Sequence, residues 1–420
     1  MEYKKPKGTR DHFDLTAEII EKIIDVFTNI SQQYGYKRLL LPSFEMADLY
    51  KRQMPTADVV IKELYEFFDK KNRHLALRPE FTAGVVRAVI ENRYYACLPL
   101  RICYSGSVFR YERPQNNRYR EFFQFGCELF GDNSSMAEWE IVQICQSGLQ
   151  ELGISNFKLY INDIGNAESR KKWINALRKY FQNYVNQLTD LSKGRIATNP
   201  LRILDDKVDG KKIFVKQAPQ INQFLSENEK KSFMNIQQLL NSAGISFIVN
   251  ANLVRGLDYY TNFVFEFVKC ANKSQDTLIA GGRYNDLTQE IGGVSLPAIG
   301  FSAGIDRLAD EYVQNQKNIN QIGSHLKIHA VVGLSSWNDD KIKLIKFANL
   351  LRSQSLKVIT TSCKNFRQNV NLTKRLKINY YIECVNDDNF ENAFFDVYDV
   401  QNRHKLIQLN YQCLLKLLWK

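Results

Sequence analysis

Apolar residues recur at helical spacing from the start of the chain. Ile19, Ile20, Ile23, Ile24, Phe27, Ile30 and Tyr34 share one face over residues 16–35, and Gly35 closes the helix. A short strand, 38–41, runs into Pro42. Residues 101–131 then give two apolar-rich strands around a polar loop. Val108 and Phe109 end the first strand, Phe122, Phe123, Phe125, Leu129 and Phe130 belong to the second, and Pro114, Asn116 and Asn117 supply the turn chemistry of a hairpin. Ser135-Met136-Ala137-Glu138 reads as a capping box opening a helix to about Leu152. Residues 166–245 are helical, charged and free of sheet patterning, which predicts an inserted helical subdomain. Alternation resumes at 262–268, where Phe263, Phe265 and Phe267 interleave with Val264, Glu266 and Val268.

A polar, Gln- and Asn-rich stretch from about 312 to 327 reads as a linker. Beyond it, strands at 328–334, 356–361, 379–385 and 393–400 alternate with helices at 338–353 and 365–376, and a terminal helix is expected at 409–418. That alternation predicts a compact α/β domain with a mixed sheet. The expected organisation is a domain over 1–318 with the insertion at about 166–245, a linker at 319–326 and a second domain over 327–420.

Composition narrows the class. A chain of 420 residues suggests two or three domains. No apolar run approaches the ~18 residues of a membrane span. The basic opening MEYKKPKGTR is followed by no apolar core of a signal peptide. The 8 cysteines form no CxxC pair and read as reduced thiols, so a cytoplasmic protein is expected. His325 and His329 stand four apart with no third ligand nearby, so no protein-held metal is expected. Net charge is +12, and residues 327–420 hold 15 Lys+Arg against 8 Asp+Glu, a bias that suits a phosphate backbone.

Four segments carry candidate chemistry. The hairpin loop bears Arg110, Arg113, Arg118 and Arg120, and the returning strand bears Gln124 and Glu128, so a polyanion can be held against a small polar ligand. In Arg78-Pro79-Glu80-Phe81-Thr82, Thr82 is placed to cap the helix that follows, and Glu80 offers a carboxylate for a substrate ammonium. Arg255-Gly256-Leu257-Asp258-Tyr259-Tyr260 joins a turn to a strand. Paired glycines in Ala280-Gly281-Gly282-Arg283-Tyr284, with the small residues of Gly300–Gly304, allow close backbone approach, and Arg307 follows in the first turns of a helix.

FRYERPQ…RYREFFQFGCE resembles motif 2 of class II aminoacyl-tRNA synthetases, in the form of the histidyl-tRNA synthetase family. Arg255–Tyr260 resembles a segment peculiar to that family, and Gly300–Arg307 resembles class II motif 3. Lys7–Asp11 resembles the family's opening, and Tyr34-Gly35-Tyr36 through Pro42 resembles motif 1, which builds a dimer interface. The resemblance implies an α+β fold: a class II antiparallel-sheet catalytic domain with a helical insertion, plus a C-terminal α/β anticodon-binding domain. It implies activation of histidine by ATP with Mg²⁺, transfer to tRNA(His), and a homodimer with no membrane association. It assigns Arg110 and Arg255 to catalysis, and Glu80, Thr82, Gln124, Glu128, Tyr259 and Tyr260 to histidine. Arg110, Phe122, Arg255 and Arg307 go to ATP, and Arg113, Gln115 and Arg120 to tRNA. A different class of reading is a catalytically inactive paralogue that regulates or senses tRNA. Departures from the family pattern include Asn285-Asp286 after GGRY, Phe123 before Gln124, and Tyr381-Ile382-Glu383-Cys384 in the C-terminal domain.

Overall fold

The computed structural model describes residues 3–53, 63–112, 119–204, 206, 208–254, 257, 259–270, 277–315, 328–333, 341–361, 365–376, 378–385, 390–400 and 402–419. The chain divides into two compact units, Met1–Lys317 and Asn318–Lys420.

Strands are numbered along the chain: β1 (Lys37–Arg38), β2 (Phe44–Met46), β3 (Glu66–Phe68), β4 (His74–Leu77), β5 (Leu100–Phe109), β6 (Glu121–Phe130), β7 (Phe157–Asp163), β8 (Ile248–Val249), β9 (Thr261–Lys269), β10 (Thr277–Arg283) and β11 (Ala298–Gly304). The first unit is built on an eight-stranded sheet in the order β1-β5-β6-β11-β10-β9-β7-β8, with β2-β4-β3 forming a second, small sheet. The six inner strands pair antiparallel, while β1 and β8 join the edges parallel. This is the antiparallel sheet expected of class II.

Period-two alternation gives the two faces of this sheet different jobs. On one face Phe125, Cys127 and Phe301 lie under the helix Leu15–Gln33, where Phe27 meets Phe125 at 5.5 Å between ring centroids and Ser31 Oγ reaches Cys127 Sγ at 3.1 Å. The opposite face carries Gln124, Gly126 and Glu128 and is open to a cavity. Every residue from Gln124 to Phe130 is buried, because both faces are covered.

The helix Ser135–Glu151 forms, but not through the expected capping box. Its N-cap is Ser134, with no side-chain cap bond. Glu138 turns inward instead and pairs with Arg283, Nε to Oε1 at 2.5 Å. The same Ser-x-x-Glu spelling does cap a helix further on. Ser226 Oγ accepts from Glu229 N at 3.3 Å, and Glu229 Oε2 accepts from Ser226 N at 2.7 Å, opening the helix Glu227–Ser242. Among the described residues of 166–245 lie five α-helices, and Trp173, Leu177, Phe181, Ile196, Ile203 and Val215 share a core of their own.

The second unit holds β12 (Ile328–Gly333), β13 (Lys357–Thr361), β14 (Tyr380–Val385), β15 (Phe394–Asp399) and β16 (His404–Asn410), in the order β13-β12-β14-β15-β16. β12, β13 and β14 run parallel and β15 and β16 antiparallel, a mixed sheet around Phe347, Leu351, Phe395, Val397 and Leu414. The terminal helix is shorter than expected. Residues 404–410 form a strand, and Asn410 ends it by capping Tyr411–Leu418, its Oδ1 accepting from Cys413 N at 2.8 Å.

Candidate active site

One face of the large sheet is the floor of a cavity of 240 Å³ in the first unit. Its centre is Glu128 on β6, only 1% exposed. Three hydroxyls donate to that carboxylate: Thr82 Oγ1 at 2.8 Å and Tyr104 at 2.8 Å on Oε1, and Tyr284 at 2.5 Å on Oε2. Burial pushes the Glu128 pKa up to about 8, although these hydroxyls pull it down. A donor or cation that enters the cavity offsets the cost of ionising it.

Glycine makes room for this arrangement. Gly300 on β11 pairs directly with Glu128, and a Cβ there would lie 1.6 Å from Glu128 Oε2. A Cβ at Gly126 would lie 2.4 Å from the Tyr104 hydroxyl. The floor therefore excludes side chains at the two points where Glu128 and Tyr104 need the space.

Glu80 stands at the N-terminus of the helix Thr82–Glu91 and is 4% exposed. Its oxygens accept from Thr82 N at 2.6 Å and Ala83 N at 2.9 Å, and the Tyr259 hydroxyl approaches at 3.4 Å. Thr82 is therefore not the cap. Glu80 satisfies the free N–H groups, which releases the Thr82 hydroxyl to Glu128. Burial raises the Glu80 pKa; the Ala83 and Thr82 backbone bonds, the Thr82 hydroxyl and the Arg110 charge oppose that. Gln124 projects from the same face of β6 as Glu128, and its Oε1 is buried without a hydrogen-bond partner among the described residues.

The other end of the cavity is basic. Arg110 Nε donates to Pro79 O at 2.9 Å, and its guanidinium lies 5.4 Å from the Phe122 ring centroid. Arg307 Nη1 donates to Thr277 O at 2.8 Å. Asp306 is not free for a ligand. It accepts from Phe123 N at 2.7 Å and from Arg10, whose guanidinium stacks 3.6 Å from the Tyr119 centroid and donates to the Tyr119 hydroxyl at 2.9 Å.

The cavity wall thus brings together Glu80, Thr82, Gln124, Glu128, Tyr259, Tyr260, Arg110, Phe122 and Arg307. Arg120 is not on it. Its guanidinium lies 3.9 Å from the Tyr111 centroid, and its Nε donates to Glu112 O at 3.2 Å. Arg255, Arg113 and Gln115 lie outside the described residues. Tyr104 and Tyr284, both partners of Glu128, were absent from the sequence-based assignment. The signal for Tyr104 was a glycine in a strand buried on both faces: Gly126 pairs with it across the hairpin.

Comparison with known proteins identifies the family. A family model described as histidyl-tRNA synthetase matches residues 8–308. The chain is 43% identical over 363 residues to the histidine–tRNA ligase of Malacoplasma penetrans, covering 85% of this chain and 84% of the relative. It is 45% identical over 307 residues to that of Mycoplasma genitalium, covering 73% of each. The crystal structure of apo histidyl-tRNA synthetase from S. aureus superposes with a TM-score of 0.79 at 28% identity, covering 100% of both chains.

Proposed function

The chain belongs to the histidyl-tRNA synthetase family and is a histidine–tRNA ligase, and we propose how its cavity performs the reaction. The observation that carries the proposal is Glu128: a buried carboxylate facing the cavity, fixed by three hydroxyls and poised near neutrality. An imidazole N–H donates to it, and Tyr259 or Tyr260 meets the second ring nitrogen. The α-ammonium lies against Glu80 and the unpartnered Gln124 Oε1. Thr82 serves both ends, because its hydroxyl donates to Glu128 and keeps lone pairs to accept from the ammonium.

The histidine carboxylate oxygen then attacks the α-phosphorus of ATP, the bond to pyrophosphate breaks, and histidyl-adenylate forms. Alignment and charge neutralisation are the protein's contribution. Arg110 with Phe122 holds the α-phosphoryl end and adenine, Arg255 adds charge at the α-phosphate, and Arg307 holds the rest of the triphosphate. Mg²⁺ bound with ATP would neutralise charge on the pyrophosphate. Glu266 and Glu112 on the cavity wall are oxygen donors of the kind it takes. A ribose hydroxyl at the 3′ end of tRNA next attacks the activated carbonyl and AMP leaves. Arg113, Gln115 and Arg120 touch the acceptor end.

In the second unit the helix Phe366–Arg375 exposes Arg367, Lys374 and Arg375, and we assign this unit to the anticodon arm. Exposed Leu40, Phe44, Met46 and Phe68 near the small sheet support a homodimer through the motif 1 region. No described helix is long and apolar enough to cross a membrane, and the cytoplasm is the proposed compartment. The ligase name shared by relatives at 36–45% identity favours catalysis over a purely regulatory role. ATP–pyrophosphate exchange with each of the twenty amino acids tests the reading. Histidine alone should support exchange, and no exchange with histidine would refute it.

A further inference from the structure

Ser302 has no role in the mechanism above, yet it lines the cavity. It lies on β11 between Gly300 and Gly304, and alternation places all three on one face. The direction of that face is fixed at both ends. A Cβ at Gly300 would point onto the Glu128 carboxylate, and a Cβ at Gly304 would come within 3.8 Å of Arg307 Cδ. The Ser302 side chain therefore projects into the cavity, one strand repeat (~6.8 Å) from either landmark. Its hydroxyl oxygen is buried and has no hydrogen-bond partner among the described residues.

The cross-strand row through Ser302 runs Tyr104, Gly126, Ser302, Ala280, Glu266. The immediate neighbours of Ser302 in the row, Gly126 and Ala280, have no side-chain group that could satisfy a hydroxyl. A buried hydroxyl left unpaired carries a desolvation cost that a ligand atom can remove. The register also says which ligand. Gly300 pairs with Glu128 and Gly304 with Gln124, so Ser302 sits midway between the residues assigned to the imidazole and to the α-ammonium.

We propose that Ser302 is a substrate-binding residue whose hydroxyl oxygen accepts a hydrogen bond from the α-ammonium of the bound histidine, setting affinity for the amino acid and not for ATP. This rests on the assignment of histidine to the cavity. The test is ATP–pyrophosphate exchange by the full chain and by Ser302→Ala, with thermal melting of both unliganded proteins. Loss of one hydrogen bond to a charged group should raise the histidine KM about tenfold or more, with the ATP KM unchanged. The unliganded variant should melt no lower than wild type, because the hydroxyl removed has no partner to lose. An unchanged histidine KM, an equal rise in both KM values, or a lowered melting temperature overturns the role of Ser302 while wild-type exchange leaves the histidine reading standing. Absence of histidine-dependent exchange in the wild type overturns both.

Discussion

Glu128 is the side chain on which the proposed reading rests. Its surroundings oppose each other: burial disfavours the charge, and three hydroxyls favour it. The balance has a consequence for stability. An unfolded glutamate ionises near 4.5, whereas Glu128 in the folded chain keeps its proton to about 8. Folding therefore binds a proton between these values, so the contribution is complete below 4.5 and is lost as pH rises through 8. At about 1.4 kcal/mol per pH unit the span is bounded by roughly 5 kcal/mol. In melting curves of the unliganded proteins from about pH 5 to about pH 9, wild type should lose stability relative to Glu128→Gln as pH rises. Parallel curves would contradict the assignment of this burial. Glu80, Gln124, Glu128 and Arg307 were legible because family-like motifs carry them. Tyr104 and Ser302 were not, because their importance comes from what lies across the sheet, and no local pattern records cross-strand register.

Elements were easier to read than their ends. The Leu15–Gln33 helix and the β5–β6 hairpin follow from period and turn chemistry. Two ends were misread for one physical reason: a glutamate was needed elsewhere or did the capping itself. Glu80 caps Thr82–Glu91 in place of Thr82, and Glu138 leaves its helix end to meet Arg283. Strand β16 was not foreseen, and the terminal helix was begun two residues early because nothing marked Asn410 as a cap. The Arg283–Glu138 pair fixes the helix Ser135–Glu151 to β10, beside Tyr284, and Arg283 also donates to Asp132 O at 3.1 Å and Ser134 O at 2.7 Å. Arg283→Met should destabilise the fold by about 3–5 kcal/mol, because Glu138 is left buried without its partner. Adding Glu138→Leu should recover much of the loss. Denaturant midpoints of the single and double variants decide this, and a neutral Arg283→Met would show that the pair does not hold the element.

At the scale of the whole chain, every described residue assigned to histidine activation lies in the first unit, and +7 of the net charge of +12 lies in the second. Removing residues 318–420 should leave histidine-dependent pyrophosphate exchange within a few-fold of wild type. It should also raise the KM for tRNA and flatten its salt dependence, since phosphate contacts are lost. Charging of tRNA with an unchanged KM would give the second unit another purpose. The polar stretch and the change of pattern pointed to a boundary close to the division after Lys317; the role proposed for the second unit was less legible, because the family match ends at residue 308. The central claim is that Glu128 selects histidine by its imidazole, and the exchange kinetics of Glu128→Gln test it most directly. The substitution keeps shape and removes the charge. The account predicts a histidine KM raised by at least tenfold with the ATP KM nearly unchanged, the loss of one charge-assisted hydrogen bond of about 1.5–3 kcal/mol. A histidine KM like that of wild type, or an equal rise for histidine and ATP, would contradict it.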